Sequence, residues 1–379
     1  MANQSSVAAA GREPVLSRRQ LNRALLERQM LIRRRNLSAL EAVEHLVGMQ
    51  AQAPSPPYFG LWTRLKDFRQ EELSRLIESR QAVRIALMRS TIHLVSASDA
   101  LALRPLMQPI MERGLKSTFG KRLEGIDQAE LAAAARKLTE ERPMTFQEIG
   151  ERLTSEERWS GRDIAAIGAA VRVLLPLVQV PPRGLWRASG PAAHTTAKAW
   201  LGREEASVDS DKLEHVLERY LTAFGPATVQ DMQAWCGLTR LGDVVRRMRP
   251  RLRVFRDEQG RELFDVPDAP LPDADTPIPP RYVAEFDNVL LSHNDRTRII
   301  SEEDRKRVFT INGIIRPTFL VDGFVAGMWG IVRERASAAL VVEPFHPLLP
   351  RDRENLAEEG ERLLSFAAPE CEPREIRFC

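Results

Sequence analysis

The sequence predicts an α+β fold: three tandem winged helix-turn-helix units followed by a small β-rich C-terminal region. Three observations lead there. Helices followed by a pair of short β-rich runs recur three times along the chain. A Pro- and Asp-rich stretch, Pro267 to Pro280, then interrupts the pattern, and beyond it Thr318 to Val321, Gly323 to Trp329 and Ala338 to Val342 read as strands. The expected divisions are a disordered tail at 1–15, winged-helix units at 16–125, 126–206 and 207–268, and a C-terminal domain at 281–379 that ends in a charged helix near Arg351 to Phe366.

Each element has a local reason. In the first unit a helix is expected from Leu16 to Arg33, and a second runs from Ser38, an N-cap with Glu41 at the capping-box position, to about Met49. Ala53 to Pro57 interrupts, a third helix follows near Glu71 to Glu78, and Val83–Leu87 and Thr91–Val95 flank Met88-Arg-Ser as a hairpin. In the second unit Thr145 caps a helix through Arg152, and Arg162 to Leu175 forms another. Val178–Val180 and Leu185–Arg187 flank the turn Pro181–Gly184 as a second hairpin. The third unit has a helix from Asp211 to Phe224 closed by Gly225-Pro226, a helix Val229–Cys236 capped by Thr228, and a helix Leu241–Met248. Its wing pairs Arg251–Phe255 with Arg261–Val266 around Asp257–Gly260.

Composition narrows the function classes. The chain has 379 residues, 43% of them hydrophobic and 28% charged, so it can bury several cores. The formal net charge is only +3, so affinity for nucleic acid has to come from where the charge sits. Cys236, Cys371 and Cys379 are three cysteines without CxxC spacing, which argues against a disulfide framework and a zinc site. The six histidines, at 45, 93, 194, 215, 293 and 346, show no ligand spacing, so neither a metal nor a cofactor is assigned. Met1 to Pro14 has no apolar leader core and no run reaches the length of a membrane span; a soluble, cytoplasmic monomer is expected.

Arginine sits where a duplex binder would use it. Arg18, Arg19, Arg23, Arg28, Arg33, Arg34 and Arg35 face only Glu27 in the first helix region. Arg240, Arg246, Arg247, Arg249, Arg251, Arg253 and Arg256 follow the recognition helix and wing of the third unit, offset mainly by Asp243. Contacts to phosphate are expected from Arg33, Arg240, Arg246 and Arg247. The competing reading is a solvated surface in an Arg-biased chain. A glutamine also falls on an otherwise apolar stripe: Leu40, Val43, Leu46 and Val47 continue onto Gln50, with Gln52 two residues on. Such a pair diverges on a helix and converges if the chain extends, as Pro54 encourages.

Four separated motifs then carry a resemblance. Met49-Gln-Ala-Gln-Ala, Met88-Arg-Ser-Thr-Ile-His-Leu-Val, the run from Glu285 to Arg296 and Val321-Asp-Gly-Phe-Val-Ala-Gly-Met-Trp together resemble the winged-helix DNA glycosylases of the AlkZ and YcaQ type. Gln52 matches the AlkZ-like, azinomycin-resistance branch, whereas the other branch has Asp there. The resemblance implies a basic concave cleft, catalytic roles for Gln50 and Gln52, and a β-hairpin projecting into DNA. It also implies duplex DNA carrying alkylated guanine or interstrand crosslinks as the partner. For that hairpin the sequence offers Pro182 and Arg183; His293 and Arg296 lie in a motif expected to contact DNA. His93 is read as structural, with a place at the cleft as the rival. No lysine stands out for Schiff-base chemistry, so monofunctional hydrolysis of cationic N7-alkylpurines is expected. The alternatives are a non-catalytic winged-helix transcription regulator and a protein that binds damage or sequesters a drug.

Overall fold

The computed structural model describes residues 13–207 and 209–379. β1 (Val15–Leu16) and α1 (Arg18–Arg28) come first, followed by α2 (Ala39–His45), β2 (Met49–Gln50), α3 (Pro56–Trp62) and α4 (Gln70–Glu78). The hairpin β3 (Ala82–Ala86) and β4 (Ile92–Ser96) precedes α5 (Ala97–Leu106) and α6 (Gln108–Phe119). The middle of the chain holds α7 (Gln128–Glu141), α8 (Phe146–Thr154), α9 (Ile164–Leu174), β5 (Leu177–Gln179), β6 (His194–Thr196) and α10 (Ala197–Leu201). Then come α11 (Ser210–Phe224), α12 (Val229–Cys236), α13 (Gly242–Met248), β7 (Arg253–Asp257) and β8 (Glu262–Asp265). The C-terminal region is β9 (Arg281–Val283), α14 (Asn288–Leu291), α15 (Glu302–Val308), β10 (Thr318–Val321), β11 (Phe324–Arg333), β12 (Ala338–Pro344), α16 (Pro350–Ala367) and β13 (Arg374–Phe378). Of the expected disordered tail, residues 1–12 lie outside those described, while Val15 pairs with Arg256 as the start of β1.

Local chemistry sets the helix starts. Ser38, Thr145 and Thr228 each accept from the backbone N–H three residues on, and Glu41, Glu148 and Asp231 return a bond to the cap. Two orphan donors are satisfied at each start. The end of α2 is a correction: it stops at His45, short of Met49. Val47 (φ 52°) and Gly48 (φ 90°) are left-handed, and a Cβ on Gly48 would lie 2.5 Å from Val95 Cγ1. Close packing against β4 therefore ends the helix and throws Met49–Gln50 into an extended strand.

A five-stranded sheet in the order β2-β4-β3-β5-β6 joins the first and middle parts of the chain, with β3 paired to β4 on one side and β5 on the other. Here the second expected hairpin is corrected: β5 pairs with His194–Thr196, not with Leu185–Arg187. The intervening loop folds back on the body. Tyr58 Oη donates to the Gly184 carbonyl at 2.9 Å, and the Trp186 ring packs 5.0 Å from Tyr58 and 5.7 Å from Phe59. Packing of the half-buried indole against these two rings decides the path of this run.

Packing crosses the expected divisions. One buried apolar cluster runs from Leu25 through Ile85 and Ile167 to Val245, and a second joins Val43, Tyr58 and Leu73 to Phe319, Leu340 and Leu363. Arginines of the first cluster serve the same end. Arg28 sets both guanidinium nitrogens on Asp265 at 2.7 and 2.8 Å, with both partners buried. Arg23 is buried against Asp322 and donates to the Thr276 carbonyl, while Arg34 pairs with Glu359 at 2.7 Å. Arg23, Arg28 and Arg34 thus latch the Pro-rich linker and the C-terminal region onto the first helix region, and these three charges are neutralised inside the protein, whereas Arg33 stays exposed.

Candidate active site

Because β2 is extended, alternation replaces helical periodicity. Met49 and Ala51 point into the apolar core, and Gln50 and Gln52 leave on the other face. Gln50 lies opposite His93 in the β2–β4 register, and the pairing continues with the Ala51 N–H donating to the Ile92 carbonyl at 2.8 Å. Both amides are anchored by the same hairpin. Arg89 Nη2 donates to Gln50 Oε1 at 2.8 Å, and the Ile92 backbone N–H donates to Gln52 Oε1 at 3.3 Å. Gln50 is 7% exposed under its guanidinium cover, and Gln52 is open to solvent. Each amide keeps its NH₂ group and a remaining carbonyl lone pair for a ligand or water.

Arg89 is the residue that sequence reasoning missed. It sits in the β3–β4 turn with φ 55°, and its other guanidinium nitrogen, Nη1, donates to the Trp235 carbonyl at the end of α12. The neighbouring Ser90 carbonyl accepts from Arg172 Nη2 of α9 at 2.7 Å. Elements from three stretches of the chain thus converge on one turn. Space there is tight: a Cβ on Gly237 (φ 84°) would lie 2.0 Å from Ile110 Cδ1 and 3.3 Å from Arg89 Cα. Burial lowers the Arg89 guanidinium to about 10, with the positive charge of Arg296 adding to the shift. The signal was present in the sequence as a positively charged residue between two apolar strands, but nothing local tells which glutamine it meets.

The run from Glu285 to Arg296 holds the glutamine strand from behind. Asp287 meets buried Arg64 at 2.7 and 2.8 Å, and Asn288 donates to the Gly48 carbonyl at 2.8 Å, directly before Met49. His293 is buried, with its ring nitrogens against the Phe224 carbonyl and Ser292 Oγ, and burial pushes its imidazole down to about 3. This places it in the interior, away from any duplex. Arg296 is half-buried, donating to the Leu290 carbonyl and lying 5.1 Å over the Phe309 ring. His93 is buried too and lowered to about 3, first by desolvation and then by Arg89, so it is neutral at physiological pH.

The other expected DNA contacts are scattered. Arg33 is exposed and shares Glu27 with Arg35. Arg246 pairs with Asp243 at 2.6 Å and Arg247 with Glu214 at 3.0 Å, while Arg249, Arg251 and Arg256 meet Glu262, Glu214 and Glu13. The offset in this cluster is therefore broader than Asp243. Arg240 is exposed and carries no ion pair among the described residues. Pro182 is exposed, but Arg183 is half-buried against the Gly190 carbonyl at 3.4 Å, so the Pro181–Gly184 turn does not lift it clear of the body.

Comparison with known proteins now adds to the geometry. Residues 43–366 match the family described as DNA glycosylase AlkZ-like. A curated relative from Streptomyces sahachiroi, the interstrand DNA cross-link repair glycosylase, is 26% identical over 348 residues, covering 84% of this chain and 88% of its own length. The solved Streptomyces sahachiroi DNA glycosylase AlkZ superposes with a TM-score of 0.80 at 23% identity over 96% of this chain and all of its own, so the two share a mixed α+β fold. No helix among the described residues is long and apolar enough to cross a membrane. With the family match covering most of the chain, the protein belongs to the AlkZ-like DNA glycosylases and is a DNA glycosylase.

Proposed function

We propose that the protein hydrolyses the N-glycosidic bond of cationic N7-alkylpurines in duplex DNA and unhooks interstrand crosslinks of the azinomycin type, as a cytoplasmic monomer built on three tandem winged helices. The observation that carries this reading is the pair Gln50, at the end of β2, and Gln52, just beyond it, each amide oxygen held by a donor from the β3–β4 turn or strand. Alkylation at N7 makes the base a cation, so it departs neutral and needs no proton. What remains is to stabilise the positive charge growing on the sugar and to place a water, which preorganised amide dipoles do without a carboxylate. Uncharged, stable lesions should resist such a site. The role in cross-link repair of the Streptomyces sahachiroi relative points the same way.

In this reading the projecting hairpin is the turn between Phe309 and Ile315 rather than Pro181–Gly184. Ile311 at its tip is fully exposed, Phe309 lies under Arg296, and Arg307 stands on the preceding helix, where Arg305 is paired with Glu302 at 2.9 Å. An exposed apolar tip, with Ile314 half-exposed beside Ile311, suits insertion between base steps. Because Ile311 touches no core, Ile311→Ala should leave the melting temperature unchanged and lower excision roughly tenfold, or about 1.4 kcal/mol. Release at the parental rate would remove the turn from the DNA contact.

The proposed reaction is tested on a duplex joined through N7 of guanines on opposite strands. Denaturing gels should show separated strands that stay intact until alkali or heat cleaves the abasic site. A persistent crosslink, or strand cleavage before any alkali or heat treatment, contradicts monofunctional unhooking.

A further inference from the structure

The β3–β4 turn is held in a conformation that its own residues disfavour. Arg89 (φ 55°) and Ser90 (φ 60°) are consecutive left-handed residues and neither is glycine, so each side chain crowds the backbone. Such a turn persists only where its surroundings fix it. Bonds inside the loop do part of this: the Leu87 N–H donates to the Thr91 carbonyl at 3.0 Å, the Ser90 N–H to the Leu87 carbonyl at 2.9 Å, and the Thr91 N–H to the Met88 carbonyl at 3.1 Å. The Ser90 carbonyl has no partner within the loop. Among the described residues it accepts from Arg172 Nη2 of α9 alone, at 2.7 Å.

Arg172 differs from the buried arginines elsewhere in the chain. Arg23, Arg28 and Arg64 each meet an aspartate. Arg172 is half-buried and makes no ion pair and no other side-chain hydrogen bond among the described residues. Burial alone lowers its guanidinium below the ordinary value. Desolvating that charge costs free energy that one neutral carbonyl does not fully offset, so stability by itself does not account for the contact.

The contact has direct leverage on the site. Ser90 follows Arg89, whose Nη2 donates to Gln50 Oε1 at 2.8 Å and whose Nη1 meets the Trp235 carbonyl. Gln52 is reached by another route, from the Ile92 N–H, and Ile92 is set by its pairing with Ala86. We propose that Arg172 is a positioning residue for base release: its hold on the Ser90 carbonyl fixes the turn so that Arg89 meets the Gln50 amide. The proposal rests on the reading above that Gln50 acts in excision. Without the clamp the turn relaxes, the Arg89 fork shifts and Gln50 loses its fixed orientation, while the phosphate contacts that give duplex affinity are untouched.

The test uses the full chain and a duplex containing N7-methylguanine. Arg172→Met keeps the length and apolar stem of the side chain and removes every donor. Arg172→Lys returns a single donor group, and one N–H is all that the Ser90 carbonyl uses. Single-turnover release at saturating protein should fall roughly 5- to 30-fold in Arg172→Met, with the concentration for half-maximal rate changed less than about twofold. Arg172→Lys should recover the rate to within about threefold of the wild type. In a Gln50→Ala background Arg172→Met should cost less than about twofold more. Hydrogen exchange across 87–91, followed by mass spectrometry, should be faster in Arg172→Met and restored in Arg172→Lys. Parental release by Arg172→Met overturns the proposal. So does a loss confined to half-saturation, which marks a direct DNA contact, or an undiminished loss in the Gln50→Ala background, which marks general support of the fold. A wild type that releases no base would overturn the reading of Gln50 and not the clamp, whereas unchanged exchange in Arg172→Met would overturn the clamp itself.

Discussion

Replacing Gln50 or Gln52 by Ala is expected to lower excision of N7-alkylguanine by roughly one to three orders of magnitude, about 1.5 to 4 kcal/mol of transition-state stabilisation. Duplex affinity should barely change, because phosphate contacts elsewhere dominate it. The two substitutions differ structurally. Gln52 is exposed and its side chain accepts one backbone bond, so Gln52→Ala removes an amide and little else. Gln50 is buried under Arg89, so Gln50→Ala also leaves a guanidinium nitrogen without its acceptor, and its melting temperature should fall along with its rate. Gln52→Asp would place a carboxylate near the sugar cation and widen the range of lesions, against repulsion from the phosphates. Single-turnover release rates and melting curves separate these effects. Ala variants that fold, bind and excise at the parental rate would remove both residues from the chemistry.

Arg89→Lys is expected to slow release by roughly 10- to 100-fold, about 1.4 to 2.7 kcal/mol, with KM nearly unchanged. Arg89 holds the Gln50 amide through one nitrogen and the Trp235 carbonyl through the other, a two-point fork that a lysine ammonium cannot reproduce. It is a positioning residue, since its visible contacts are to protein groups. If it acts through Gln50, the lysine substitution should add no further loss in a Gln50→Ala background. A fully additive double variant would mean that Arg89 touches the substrate directly or only supports the fold. Lysine rather than alanine is the informative change, because it keeps a cation in a place where burial already lowers the guanidinium to about 10.

How much of this was legible depended on distance along the chain. Ser38, Thr145 and Thr228 were readable as caps because the partner of each lies three residues away. The Gln-x-Gln pair was readable as a motif, but its geometry was not: the apolar stripe of α2 continued onto Gln50 in the sequence, and only the close approach of Gly48 to Val95 shows why the helix ends first. The arginines misled for a related reason. Arg28 finds Asp265, and Arg23 finds Asp322, across more than two hundred residues, so their neutralisation is invisible to local charge counting. The strand partner of β5 lies beyond a loop whose course is set by Trp186 meeting Tyr58 and Phe59, a contact no periodicity encodes. His293 looked like a DNA contact because its motif is polar, whereas its ring is enclosed by the Phe224 carbonyl and Ser292.

The central claim, that the paired amides of Gln50 and Gln52 excise a cationic base, is tested most directly by following free base from duplex DNA containing N7-methylguanine beside the same duplex containing an uncharged lesion such as 1,N6-ethenoadenine. Mass spectrometry of the supernatant should detect free 7-methylguanine accumulating with wild-type protein, little with Gln50→Ala or Gln52→Ala, and no release of the uncharged base above background. Equal release of both bases, or release that does not depend on either glutamine, would contradict it.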